Sequence, residues 1–344
     1  MAKKTPIKKP SKSNLGGALL EGRTTATFTK RLSRYGNAKR RAESMQNFIS
    51  DYQDNKISRS QDSEIMELAK FGHDQIQRVK SKLSDCGNYL VFNDYYTVGQ
   101  VLLTKASFCK QQLVCPLCAI RRGAKTLRSY LDKYNQVMKQ EKGLQTSLMT
   151  LTVKNGPDLL ERFNHLQSGV KHLQKKRRNA LSGGRNISEF TKVLGAVGSY
   201  EFTNKGKGWH PHVHMIILHR EPIDQGKLSN EWKKTTGDSF IVDIRPMDRK
   251  KDPAQNFLEV FKYAVKFSDL RLSQNLLAAF VLKGKRLIFS FGIFRGVDVP
   301  DSLLDEKLDD LPFIELFFNY SKKSSKYLSG KSVIKKPYFI PKGC

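Results

Sequence analysis

Between Trp209 and Leu218 the chain reads Trp-His-Pro-His-Val-His-Met-Ile-Ile-Leu, so three of its seven histidines fall at alternating positions. Successive side chains of a strand point to opposite faces. His210, His212 and His214 therefore share one face, and Val213, Met215 and Ile217 turn the other way into a core. Neutral imidazoles at this spacing can each donate a lone pair to one metal ion. Pro211 restricts the strand start, so His212 and His214 are the primary ligands expected, with His210 as a further candidate. Glu201, in Ser199-Tyr200-Glu201-Phe202-Thr203, lies on the preceding segment, and a hairpin of this length can set it opposite the histidines. Two imidazoles and a carboxylate with open positions suit Mg²⁺ or Mn²⁺ polarising a phosphate. Three imidazoles alone suit Zn²⁺ better. The plain alternatives are a surface histidine cluster and a strand-edge charge.

A second group lies on a helix expected over 252–267, with Asp252 as its N-cap and Pro253 at its first position. At 100° per residue, Glu259, Tyr263 and Lys266 fall within about 60° of one another, away from Phe257, Phe261, Ala264 and Val265. A phenol oxygen can attack a phosphodiester and form a phosphotyrosine, although its ordinary pKa near 10 means that it needs help. Lys266 can offset charge there, and Glu259 can act as a general base on water. A solvated helix face accounts for the same three residues.

Cysteines form the third group. Cys115-x2-Cys118 is half a zinc site, and Cys86 and Cys109 can complete four thiolates with 22, 5 and 2 intervening residues. Buried free thiols are the alternative, and Cys344 is assigned nothing.

The elements that must position these groups follow from periodicity. Ser147–Lys154, Lys192–Thr203, Pro211–His219 and Ser239–Arg245 read as strands. Pro157–Arg178 reads as a helix from Leu160, Phe163, Leu166, Val170 and Leu173, and 225–235 as a shorter one. The order βαββαβ, followed by the tyrosine helix, predicts an α+β, ferredoxin-like domain: an antiparallel sheet with helices on one face. Residues 276–296 add apolar helix and strand material, including Arg286–Phe291. Upstream, 42–82 reads as helical and 120–142 as a helix after the cysteines.

The organisation expected is a basic disordered arm over 1–41, a helical segment over 42–83, the main domain with its cysteines over 84–296, and a tail over 297–344. The arm has 12 Lys and Arg against one acid. The tail is first acidic, then basic. No internal repeat is found.

The whole chain of 344 residues has 61 Lys and Arg against 32 Asp and Glu, a net charge of +29. That excess points to a polyanion, nucleic acid before membrane, since no basic amphipathic helix dominates. With 39% hydrophobic residues the chain can build a core, which excludes wholesale disorder. No apolar run approaches the ~20 residues that cross a bilayer, and no secretory signal is read, so a cytoplasmic protein is expected. Arg121, Arg122 and Lys125 on one expected helix, and Lys175, Lys176, Arg177 and Arg178 at the end of another, are candidate DNA contacts. Solvated faces explain them equally. Phosphate contacts do not select sequence, so the target sequence is not read from them.

Together these blocks resemble the HUH endonucleases, and within them the initiators of small rolling-circle plasmids. Met149-Thr150-Leu151-Thr152 is similar to the strand-borne first motif. His212-Val213-His214-Met215-Ile216-Ile217 is similar to the His-hydrophobic-His motif, and Tyr263-Ala264-Val265-Lys266 to the nucleophile motif. The Glu259-to-Tyr263 spacing and the segments Cys86–Leu90, Phe108-Cys109, Cys115–Cys118 and Arg121-Arg122 resemble the branch with one Tyr and one Glu. The resemblance covers about 84–296. It implies origin-specific nicking and rejoining of single-stranded or hairpin plasmid DNA. Tyr263 would stay joined to the 5′ phosphate and free a 3′-OH primer, and Glu259 would activate water at termination. It also implies a catalytic Mg²⁺ or Mn²⁺, a structural Zn²⁺ on the cysteines, and host helicase and DNA polymerase as partners. A relaxase or transposase with the same core, a zinc-stabilised DNA-binding regulator without catalysis, and a His-x-His oxygenase are the rival readings.

Overall fold

The computed structural model describes residues 25–57, 63–184, 188–248, 250, 252–261, 270–308, 311–330 and 333–335. The described helices are α1 (Thr25–Gln53), α2 (Ser63–Leu68), α3 (His73–Asp85), α4 (Pro116–Gln140), α5 (Leu159–Leu181), α6 (Gln225–Thr236), α7 (Pro253–Phe261) and α8 (Leu272–Val281). The strands are β1 (Tyr89–Tyr95), β2 (Gln100–Ala106), β3 (Gln145–Thr152), β4 (Gly195–Asn204), β5 (Trp209–His219), β6 (Val242–Pro246), β7 (Ile288–Gly292), β8 (Phe313–Ser321), β9 (Lys326–Ser329) and β10 (Val333–Lys335). This is an α+β protein with two antiparallel sheets. No described helix is long and apolar enough to cross a membrane.

The chain divides into two compact units, one from the described parts of 1–36, 89–106 and 304–344, the other from 37–88 and 107–303. In the first, the sheet order is β10-β8-β1-β2, with β9 paired to β8. Phe28 of α1 packs its ring on Phe92 and Phe318, at 5.0 and 5.8 Å between centroids. Arg31, one turn on, donates to the Val101 carbonyl and pairs with Asp305 at 2.9 Å.

The second unit holds the sheet β6-β3-β5-β4-β7. Counting β3, β4, β5 and β6 as first to fourth in the chain, the spatial order is fourth, first, third, second, with β7 added outside β4. Helix α5 connects β3 to β4, and α6 connects β5 to β6. The local signals are visible. Asp158 caps α5 by accepting from Glu161 N, and Asp224 caps α6 by accepting from Lys227 N. Gly237 ends α6 at φ 76°, a left-handed position that suits glycine. Asp252 accepts from Ala254 N at the start of α7, as its sequence position predicts.

Both faces of this sheet are covered. On one, Phe163 of α5 meets Tyr200 of β4 at 5.3 Å, and Trp232 of α6 lies against Gly169 of α5. On the other, α4 reaches the sheet through Tyr134, bonded to Thr146 at 3.1 Å, and Tyr130, bonded to Ser290 at 3.2 Å. Helix α7 stacks on α4, with Phe257 against Tyr134 and Phe261 against Tyr130. The expectation of helices on one face is therefore corrected. β5 buries Met215 and Ile217 on one side and Ile216 and Leu218 on the other.

Three further expectations change. The arm assigned to 1–41 contains the start of α1, whose Tyr35 and Ala38 are buried; residues 1–24 lie outside the described residues. The tail assigned to 297–344 supplies β8, β9 and β10, because Phe313, Ile314, Leu316, Phe317 and Phe318 outweigh the flanking charges. The cysteine segment encloses the hairpin β1–β2, which periodicity did not reveal.

Candidate metal centres

The register of β4 and β5 sets Glu201 opposite His212 and Ser199 opposite His214. On the other side of β5, Thr152 faces His212 and Thr150 faces His214. Cross-strand partners share a face, so two imidazoles and one carboxylate meet there. The Nε2 atoms of His212 and His214 stand 3.0 and 3.3 Å from Glu201 Oε2. Glu201 is 4% exposed.

The outer hydrogen bonds orient both rings. His212 Nδ1 lies 3.3 Å from the His210 carbonyl, which can only accept, so Nδ1 carries the proton. His214 Nδ1 is 2.9 Å from Thr150 Oγ1. In neutral His212, Nε2 then offers a lone pair toward a carboxylate oxygen that receives no aligned hydrogen bond. Lone pairs converging on a buried carboxylate call for a cation between them, and the donor set fits a divalent ion. Burial alone would raise the Glu201 carboxyl; the adjacent His212 and His214 outweigh it and hold the group below its ordinary range.

His210 does not join the group formed by Glu201, His212 and His214. Its ring centroid is 5.5 Å from that of His212. Burial first, then the neighbouring His212 ring, lowers its pKa. Tyr263 and Lys266 lie outside the described residues, and of Glu259 only the backbone in α7 is described. Helix α7 itself is held on the histidine face through α4.

Cys86, Cys109, Cys115 and Cys118 form a second candidate group, their sulfurs all within 4.8 Å of one another. Cys86 Sγ is 3.5 Å from both Cys115 Sγ and Cys118 Sγ, and Cys109 Sγ is 3.6 Å from Cys118 Sγ. These separations are far beyond a bonded S–S pair at about 2.05 Å. They approach the edge of about 3.8 Å that four sulfurs make around a zinc ion at 2.3 Å. Hydrogen bonds from Cys115 and Cys118 lower the Cys109 pKa, while Cys109 as a neighbour raises those of Cys115 and Cys118. Lys39, 1% exposed, donates to the carbonyls of Ser84 and Cys86 beside this group.

The basic candidates separate by burial. Arg121 is 4% exposed and donates to the Leu303 carbonyl, so it cannot serve as a DNA contact. Arg122 donates to the Pro300 carbonyl. Arg177 is spent on the Val193 and Leu194 carbonyls and lies over Phe291. Each of these three guanidiniums is engaged with backbone carbonyls, a structural use that the sequence reading did not assign to them. Lys175 and Arg178 are exposed, and Lys125 and Lys176 are half-buried.

Sequence reasoning missed three contributors. Thr150 was visible only as part of an apolar-Thr strand, not as the partner of His214. Lys39 stood inside a presumed arm. Glu64, 5% exposed, accepts from Asn204, Arg271 and Gln274, tying α2 to α8 and to the end of β4. No periodic signal announces any of these.

A family model described as "Replication protein" matches residues 100–327. A "Protein rep" of a Bacillus species is 27% identical over 283 residues, covering 71% of this chain and 87% of that protein. The "Protein rep" of Bacillus amyloliquefaciens is 27% identical over 274 residues, covering 68% and 76%. That of Streptococcus pneumoniae is 24% identical over 282 residues, covering 77% and 84%. No solved structure matches the chain.

Proposed function

The chain belongs to the replication protein family, and from that membership we propose that it initiates rolling-circle replication of a plasmid by nicking and rejoining one DNA strand at the origin. The observation that supports this most is the convergence of His212 and His214 on Glu201, with each imidazole oriented from behind. Mg²⁺ or Mn²⁺ held by these three residues would supply Lewis-acid polarisation of the scissile phosphate. The sheet order supports reading the domain as ferredoxin-like, of the HUH type.

In this reading the Tyr263 oxygen attacks phosphorus and loses its proton to solvent or a nearby base. The bond from phosphorus to the 3′ oxygen breaks, and that oxygen takes a proton to become the 3′-OH primer. The 5′ phosphate stays on Tyr263. Lys266 offsets the negative charge on the phosphate. At termination Glu259 takes a proton from water, which cleaves the regenerated junction. The placement of α7 on the histidine face favours this assignment. The cysteine group would hold a structural Zn²⁺, and His210 would remain a flanking residue. Plasmid origin DNA is the substrate, with host helicase and DNA polymerase acting after the nick. Lys125, Lys175, Lys176 and Arg178 are the proposed phosphate contacts.

The test is a denaturing-gel assay on single-stranded fragments tiling the encoding plasmid, with Mn²⁺, comparing wild type with Tyr263→Phe. A covalent protein–DNA band in wild type alone is the expected result. Cleavage that persists in the variant removes Tyr263 as nucleophile. Tight binding with no cleavage on any fragment favours a DNA-binding regulator instead.

A further inference from the structure

Two adjacent large apolar side chains stand in water just before the edge strand β6. Phe240 is 60% exposed and Ile241 is 55% exposed. Their backbone is not loose. Ser229 Oγ donates to the Phe240 carbonyl, and Thr152 N donates to the Ile241 carbonyl. Ser239, just before them, exchanges bonds with Thr236 and receives Lys154 N on its hydroxyl at 2.7 Å. A rigid loop that presents an aromatic and a β-branched side chain to solvent is poorly explained by folding alone.

Register places Ile241, and Phe240 precedes it in the chain. Val242 faces Leu151, and the bond from Thr152 N to Ile241 O carries that pairing one step further. Thr152 faces His212, which faces Glu201. Ile241, Thr152, His212 and Glu201 thus form one row across the sheet, with Ile241 two strand spacings, roughly 10 Å, from His212. The exposed Lys154, Lys205 and Lys207 sit at the same end of the sheet, and none makes an ion pair among the described residues. Asn155 holds the Lys207 carbonyl at 3.2 Å.

We propose that Phe240 and Ile241 form a stacking step for a nucleobase of the single-stranded DNA substrate, with Lys154, Lys205 and Lys207 on its phosphates. This rests on the nickase reading and deepens it. A base π-face on an aromatic side chain, beside a basic rim, is how single strands are held without sequence preference. The step seats the strand so that a neighbouring phosphate reaches the metal-ligating row.

The test uses the full chain in EDTA, which stops cleavage, and the anisotropy of labelled oligothymidylate about 20 nucleotides long, longer than a single-strand site of roughly 4–16 nucleotides. Phe240→Ala and Ile241→Ser are expected to raise Kd by roughly 5- to 150-fold together, at an unchanged salt slope. Phe240→Trp is expected to restore binding. Lys205→Gln with Lys207→Gln is expected to reduce the salt slope by about 0.7 for each lost contact. Unchanged oligonucleotide affinity in the apolar variants, while wild type still forms the tyrosine adduct with plasmid fragments, overturns this proposal alone and makes the pair a docking point for another protein. Failure of wild type to bind any single strand overturns both it and the nickase reading.

Discussion

Replacing Cys118 by Ser tests the cysteine group with a magnitude that follows from its geometry. Three sulfur separations in the structure, 3.5, 3.5 and 3.6 Å, nearly match the edge of a tetrathiolate zinc site. Structural zinc is worth roughly 10–16 kcal/mol in small zinc-dependent folds, so one ligand of four represents about 2.5–4 kcal/mol. For a unit of this size each kcal/mol moves Tm by about 2–4 °C, which gives a loss of about 5–15 °C. EDTA should lower wild type and variant to a common melting temperature, wild type falling further by the difference between them. Zinc uptake should also release at least two protons per ion near pH 8. Cys115 and Cys118 are held protonated there by Cys109 and by burial, and each must ionise to bind. Metal analysis, thermal melts and calorimetry in buffers of different ionisation enthalpy check all three. A purified protein without zinc, with equal melting for wild type and Cys118→Ser and no chelator effect, refutes the assignment.

Thr150→Val removes the bond to His214 Nδ1 and should weaken Mn²⁺ binding about 10- to 100-fold, measured by titration, while Tm moves little. Gly169→Ala would set a Cβ 2.6 Å from Trp232 Cη2, and the overpacking should cost about 1–3 kcal/mol in a urea melt. His219, 5% exposed, has its pKa lowered, first by burial, with the Glu221 carbonyl opposing. The unfolded chain then binds the proton more readily. Stability from His219 is complete above about pH 6.5 and is lost as pH falls through the lower folded value. His219→Gln should flatten that part of the stability-against-pH curve.

The strands of the larger unit were legible because Thr and apolar residues alternate in 149–152 and His and apolar residues in 210–215. Two-sided coverage of that sheet was signalled by the unbroken apolar run Met215–Leu218, which an amphipathic strand would not need. β8 was hidden by its neighbours: acids before it and lysines after it gave 297–344 the composition of a tail. Arg121 and Arg177 misled for a related reason. A guanidinium is read as a surface charge, yet its five donors also suit a cluster of backbone carbonyls indoors. The candidate group of Glu201, His212 and His214 was legible as a possibility, since a hairpin of this length can set Glu201 opposite His212, as the register does. The Thr150 contact was not, because it depends on β3 entering beside β5 from 64 residues away.

Cys86 and Cys109 are separated by 22 residues, yet Gly87 N bonds the Ser107 carbonyl at 2.7 Å. Here the polypeptide leaves the unit that holds the four cysteines after Asn88 and returns to it at Ser107, and what lies between is the β1–β2 hairpin of the other unit. Such a point is a natural graft site. A foreign hairpin, or a short flexible bridge, spliced between Asn88 and Ser107 would leave the four sulfurs to close the gap themselves. The sequence between Asn88 and Ser107 can then be changed without rewriting the unit that houses the histidines.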